Sequence, residues 1–203
     1  FTSDTPMMWV ANAGAPFNTV AELIAYAKSQ PAGVSYSSPA QGSINHLIGE
    51  QFALETGAKL VHVPYKGGAP AATAVVTGEL PLGMVAASSA APHIKSGRMK
   101  PIAVTSAKRM TANPEWPTIN ESVPGIVGTN WTALAAPAAT PKELIAKLNV
   151  EINRILKLPD VIERFLAVGS EPGGGSSEEL GARFRDETAR FAKLIADAKL
   201  KLE

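Results

Sequence analysis

Few residues in this chain have types and spacing suited to chemistry. They are the histidines His46, His62 and His93, the adjacent Ser37 and Ser38, Lys66 before Gly67 and Gly68, and the neutral polar run from Ser37 to Asn45. No two histidines stand at metal-ligand spacing and no carboxylate cluster accompanies them, so no metal site is expected. Ser37 or Ser38 with His46 could imitate a nucleophile and its base. However, the Gly-x-Ser-x-Gly turn is absent and no acid is placed to orient the ring. Lys66-Gly67-Gly68 lacks the rest of a phosphate loop, Gly-x-x-x-x-Gly-Lys-Ser/Thr. The absence of cysteine removes thiol catalysis, Cys-ligated zinc and disulfides. His46 precedes Glu50 by one helical turn, a spacing that suits an ordinary intrahelical contact.

Binding is the chemistry that remains, and its centre is the stretch from Val34 to Thr56. Val34 and Tyr36 favour a strand, Ser37 to Gly42 form a small-residue loop, and Ile44, Leu47, Ile48 and Phe52 follow a helical period up to Gly57. A helix start leaves its first N–H groups without intrahelical partners and carries roughly half a positive charge. Ser37, Ser38, Gln41, Ser43 and Asn45 add neutral donors, and nothing acidic lies in the loop. A carboxylate or phosphate is the expected guest. The plainer reading is a strand-to-helix loop capped by Ser43.

The surrounding elements place this loop at a sheet edge. Strands are expected at Met7–Ala11, Val34–Tyr36, Leu60–Val63, Leu82–Ala86 and Pro101–Thr105, with helices between them. The loops at Ser37–Gly42, Pro64–Gly68 and Ser88-Ser89 each lead from a strand into a helix. This alternation predicts an α/β fold with an open, largely parallel sheet flanked by helices on both faces. Ligands in such sheets bind outside the carboxyl ends of the strands, where all three loops lie. From Lys108 to Gly128 the chain is irregular and proline-rich, a connector. Beyond it come a strand at Trp131–Ala135, a helix opened by a Thr140–Glu143 capping box, a short helix from Asp160 to Val168, and a long helix opened by Ser176. The charged face of that last helix mixes signs, as solvated surface does.

Composition narrows the class. The 203 residues are 45% hydrophobic and 18% charged, which suits a globular core, and a formal charge of +1 gives no pull toward nucleic acid. No apolar run is long enough to span a membrane, and no signal-like segment opens the chain, as expected of a cytosolic, processed or fragmentary chain.

Longer blocks are specific. Tyr36-Ser37-Ser38-Pro39-Ala40-Gln41-Gly42-Ser43-Ile44-Asn45-His46-Leu47, Val61-His62-Val63-Pro64-Tyr65-Lys66-Gly67, Pro92-His93-Ile94-Lys95-Ser96-Gly97 and Ile102–Arg109 resemble the Bug-type substrate-binding receptors of tripartite tricarboxylate transporters. So do Leu134-Ala135-Ala136-Pro137 and the Ser-Glu-Glu start of the last helix. The resemblance covers essentially the whole chain. It implies a periplasmic, non-enzymatic receptor of the type II periplasmic-binding-protein kind that works with membrane permease subunits and needs no cofactor. A small carboxylate or dicarboxylate would sit between two domains. Carried over, Ser38, Ala40, Gln41, Gly42 and Ser43 grip one carboxylate, with Tyr65, Lys66 and Gly67 on the adjacent loop. Ser37, His46, Ala86 and Ser88 complete the expected ligand-binding set.

Two departures bear on the ligand. Family members commonly carry Gly-Asn where this chain has Ala40-Gln41, and often an aspartate where it reads Val85-Ala86-Ala87. Without that acid an ammonium group loses a partner, so a plain carboxylate is the better guest. The resemblance also places the family's opening strand and Pro-Gly-Gly loop before Phe1. The second domain would then be complete at 6–123, and 124–203 would return to a mostly missing first domain. Such a fragment is expected to self-associate through the apolar face of its last helix. Rival readings are the effector-binding domain of a transcription regulator with the same fold, and an enzyme acting on an anionic metabolite.

Overall fold

A computed structural model describes residues 1–200; the last three residues of the expected returning segment lie outside the described residues. The chain runs β1 (Ser3–Asn12), α1 (Val20–Ser29), β2 (Val34–Ser38), α2 (Ile44–Thr56), β3 (Leu60–Pro64), α3 (Gly68–Val76), β4 (Leu82–Ala86), α4 (Ala87–Lys95) and β5 (Met99–Val104). It continues with α5 (Ile119–Ser122), β6 (Thr129–Thr132), α6 (Lys142–Ile155), α7 (Pro159–Ala167), β7 (Glu171–Pro172) and α8 (Ser177–Asp197).

The main sheet has the order β3-β2-β4-β1-β5. β2 is parallel to β3 and β4. β1 lies between β4 and β5 and is antiparallel to both, so the sheet is mixed, with β1 running against the other four strands. A helical connection such as α1 leaves strand direction open, because it can return the chain to the edge it came from. β1 also begins earlier than its apolar run. Ser3 to Pro6 pair with β6, and Ser3 and Asp4 also pair with β7, so one strand belongs to both the main sheet and a small second sheet.

Alternation along β1 explains the two cores. Met7, Trp9 and Ala11 face a cluster with Phe17, Leu23, Tyr36, Ile48 and Phe52, while Met8 and Val10 face Ala71, Val75, Val85 and Val104. Trp9 meets Tyr36 and Phe52 edge-on, with centroids 5.0 and 5.6 Å away. α2 starts at the cap Ser43 and stops at Gly57, whose φ of 68° is the left-handed conformation that glycine adopts without strain.

The later elements differ from the sequence reading in three ways. The Thr140–Glu143 capping box does not form; α6 is capped at Pro141 without a side-chain bond, and Thr140 N–H donates to Pro137 C=O instead. The connector contains α5, opened by a capping box between Thr118 and Glu121. α8 is held at both halves. Arg183 donates to Asp4 and Glu187, whereas Arg190 donates to the carbonyl of Val127 and Phe191 packs on the main core. α6 and α7 bury no residue fully, and Leu134, Leu144, Leu148, Val150, Val168 and Phe184 are exposed.

Candidate functional site

β2 and β4 run in parallel, so the loops after them leave the same edge of the sheet. Antiparallel β1 brings its opening residues to that edge, with Met7 opposite Ala86. The result is a cleft of about 390 Å³. Its floor is the start of α2, formed by Pro39, Ser43, Ile44 and Asn45; Gly68 opens α3 beside it and Ala86 caps α4. Thr5, Met7 and Asn130 form the remaining lining. Three helix N-termini therefore converge on one space whose lining holds no ionisable side chain. Ser43 Oγ accepts from His46 N–H, while Ile44 and Asn45 occupy the first two helical positions, whose N–H groups have no intrahelical acceptor.

The loop before α2 is stitched into shape. The Ala40 carbonyl accepts from Ser38 Oγ at 3.1 Å, Ser43 Oγ at 2.7 Å and Ser43 N at 3.3 Å. Those donors occupy an acceptor that would otherwise repel an anion. The neighbouring loop is tied to it by Tyr65 N–H to Ser38 C=O and Gly67 N–H to Pro39 C=O.

Behind the loop lies a polar cluster. Gly42 N–H donates to His46 Nδ1 at 3.0 Å, so the ring proton of His46 sits on Nε2, which is 3.5 Å from Glu50 Oε1. Ser38 Oγ and His62 Nε2 share a 2.6 Å hydrogen bond, and Tyr36 OH donates to Glu50. Burial, then the neighbouring His46, push the His62 imidazole down to about 4, with Glu50 opposing. Burial works against the Glu50 carboxylate, but hydrogen bonding from His46, with Tyr36 adding to it, holds its pKa below the ordinary value. Burial, with Glu50 nearby, raises the Tyr36 phenol.

The expected site residues separate into groups. Ser43 and Ala86 line the cleft, and Gly67 immediately precedes its Gly68. Ala40, Gln41 and Gly42 form the turn at its rim, with Ala40 and Gln41 exposed. Ser37 and Ser38 are fully buried, and their hydroxyls serve the carbonyls of Ala71 and Ala40. His46 is buried behind the loop. These three therefore present no side chain to the cleft. Tyr65 turns its hydroxyl to Glu79, and Lys66 is exposed. Ser88 lines a different groove of about 910 Å³, between α4, the Met110–Trp116 segment and the end of α7. Sequence reasoning missed Thr5, Met7, Pro39, Ile44, Gly68 and Asn130. The helix start pointed to Ile44; Thr5, Met7 and Asn130 arrive only through the antiparallel strand and carried no signal.

Ser38 is not arranged as a nucleophile, because the histidine it contacts, His62, has no acid bonded behind it and the serine hydroxyl is sealed from solvent. Among the described residues no three His, Cys, Asp or Glu side chains gather as metal ligands, and no helix is long and apolar enough to cross a membrane.

Comparison with known proteins agrees with this geometry. Residues 2–200 match the family described as tripartite tricarboxylate transporter family receptor. A curated relative from Bordetella bronchiseptica, a protein of the UPF0065 group, is 34% identical over 97% of this chain and 58% of its own length. The chain thus spans less than two thirds of that relative. The R. palustris protein Rpa4515, solved with adipate, is 33% identical with a TM-score of 0.86 over 98% of this chain and 67% of that one. The periplasmic binding protein BugD is 30% identical with a TM-score of 0.81, over 100% of this chain and 69% of its own. These similar proteins are solute-binding receptors and not enzymes. The chain belongs to the tripartite tricarboxylate transporter receptor family.

Proposed function

We propose that this chain supplies one wall of a periplasmic receptor's carboxylate site and that the whole protein delivers a small carboxylate or dicarboxylate to membrane permease subunits. The observation that carries the reading is the uncharged cleft onto which the starts of α2, α3 and α4 converge. The main-chain N–H groups of Ile44, Asn45 and Gly68 hold one carboxylate, and Ser43 and the Ala40–Gly42 turn shape the place where it sits. Each such bond to a charged acceptor contributes about 1.5–3 kcal/mol. Residues 6–123 act as the ligand-binding domain and 124–203 return toward the partner domain. The similarity to the adipate-bound R. palustris protein supports a dicarboxylate guest.

The test is an NMR and calorimetric titration of the chain with adipate, beside Ser43→Asp. Aspartate caps a helix as well as serine does, so the fold is retained while a negative charge enters the cleft. The expected result is adipate-dependent shifts at Ile44, Asn45 and Gly68, and at least about a tenfold loss of affinity in the variant, because like charges in contact cost several kcal/mol. Equal adipate affinity in Ser43→Asp overturns the assignment.

A further inference from the structure

The turn before α2 is fastened at both ends by one pair of rings. His46 occupies the third helical position after the cap Ser43 and bonds both the cap and the residue before it. Ser43 Oγ accepts from His46 N–H at 3.3 Å, and His46 Nδ1 reaches back to accept the Gly42 N–H at 3.0 Å. In an ordinary capping box a Glu or Gln at this position bonds backward to the N–H of the cap residue itself; here the Ser43 N–H donates to the Ala40 carbonyl and the histidine takes the Gly42 N–H, one residue before the cap. His62 lies parallel to His46, 3.8 Å away, and bonds Ser38 at the other end of the turn. His46 itself is only 2% exposed, so it does not reach the ligand.

We propose that His46 is a positioning residue for carboxylate capture, a histidine that holds the residue before the cap and so fixes the anion-binding turn without placing a carboxylate in the first turn of α2. The inference rests on the cleft reading above. Its physical basis is a conflict between two needs of the same helix start. The Gly42 N–H needs an acceptor, yet glutamate, the usual capping-box residue at the His46 position, would set a negative charge beside the N–H groups that receive the guest. An imidazole with its proton on Nε2 accepts the bond while adding no charge, and that Nε2 faces Glu50 Oε1, one turn further on, at 3.5 Å. His62 braces the ring by stacking and brings the Ser38 end of the turn into the same unit.

Two substitutions separate this role from plain packing. His46→Leu keeps an apolar side chain of similar bulk in the core but has no acceptor, whereas His46→Gln restores a neutral acceptor at the capping position and forfeits the ring stack. If the role is positioning, Leu raises Gly42 amide hydrogen exchange roughly fivefold to tenfold, as loss of one ordinary hydrogen bond predicts. It also weakens adipate binding by a similar factor, and Gln recovers most of both losses. If His46 only fills space, the order reverses and Leu is the better-tolerated change. Wild-type exchange at Gly42 in His46→Leu, or a Gln variant no better than Leu, overturns the proposal. A wild-type chain that does not respond to adipate counts against the ligand reading alone, since Gly42 exchange still decides this one.

Discussion

His46 and His62 stack face to face, with ring centroids 3.8 Å apart and planes 14° from parallel. The pair comes from a helix and a neighbouring strand, and it is surrounded by Tyr36 of β2, Ser38 at the end of β2 and Glu50 of α2. Burial and this close neighbour together disfavour a charge on the His62 imidazole.

Acid stability should report this. Burial, then His46, lower the His62 pKa to about 4, against an unfolded value of about 6.5. Above the unfolded value neither state binds the proton, and the group contributes nothing. As pH falls from about 6.5 to about 4 the unfolded chain takes up the proton first, so stability declines across that window and levels off below it. Urea denaturation at a series of pH values should show this slope in the wild type and a flatter one in His62→Gln.

Gly49 offers a test in which two effects oppose. It lies inside α2, where alanine ordinarily gains about 1 kcal/mol of helix propensity. A Cβ there would stand 2.7 Å from Cζ of the buried Tyr36. Overpacking of this kind costs about 1–3 kcal/mol, so Gly49→Ala should be net destabilising. Chemical denaturation should place its midpoint below the wild type, and adding Tyr36→Phe should recover part of the loss.

Asp4 and Arg183 join the start of β1 to α8 with two hydrogen bonds of 2.7 and 3.2 Å, and Thr129 donates to the same aspartate. Both side chains are about a quarter exposed, so the pair is worth more than a surface bridge. Arg183 also donates to Glu187, which accepts from Trp131 Nε1. A double-mutant cycle of Asp4→Ala and Arg183→Ala should give a coupling of about 1–2 kcal/mol. Hydrogen exchange should rise in α8 and β6 before it rises in the main sheet.

Ile44 stands at the first helical position after Ser43, whose φ of −64° and ψ of 159° suit a residue preceding proline. Proline is favoured at that first position, so Ile44→Pro deletes one cleft donor while respecting the helix. Adipate affinity, read by calorimetry, should fall by about tenfold, in line with one charge-assisted bond, while the circular-dichroism spectrum is kept.

The exposed apolar side chains of the returning segment should make the chain associate with itself. Leu144 and Leu148 are 47% and 46% exposed on one face of α6, and Leu134, Val150 and Phe184 are more exposed still. Each such side chain left in water forgoes part of the roughly 1.5–3 kcal/mol of full burial. Light scattering should show mass rising with concentration, and Leu144→Lys with Leu148→Lys should reduce it.

The chain announced the loop and helix from Ser37 to Gly57 more clearly than its sheet. The Ser43 cap, the α2 stripe and the Gly57 stop are local signals, and each formed as expected. The start of β1 carried no such signal. Ser3 and Asp4 are poor strand formers and Pro6 lacks an N–H; the strand exists there because β6 and β7 supply partners. Side-chain roles in the site were hidden for the same reason. Ser38 reads as a ligand donor until the fold brings in Ala40 and His62 to occupy it. Thr140 reads as a cap until its own N–H turns to Pro137. The caps and stops of α2 were legible, whereas short loop bonds such as those at Ala40 and Pro137, and chemistry completed by a distant segment, were not.

The proposed dependence of the cleft on main-chain donors has an evolutionary consequence. On that reading recognition lies in where the chain turns into a helix, not in the side chains that stand there. An alanine scan would pass over Ile44, Asn45 and Gly68, since every variant keeps its N–H. Lineages sharing this turn can therefore exchange most of the side chains around the guest and still hold a carboxylate. What they would then select, through the opposite wall, is the length and shape of whatever lies between that carboxylate and the far end of the molecule.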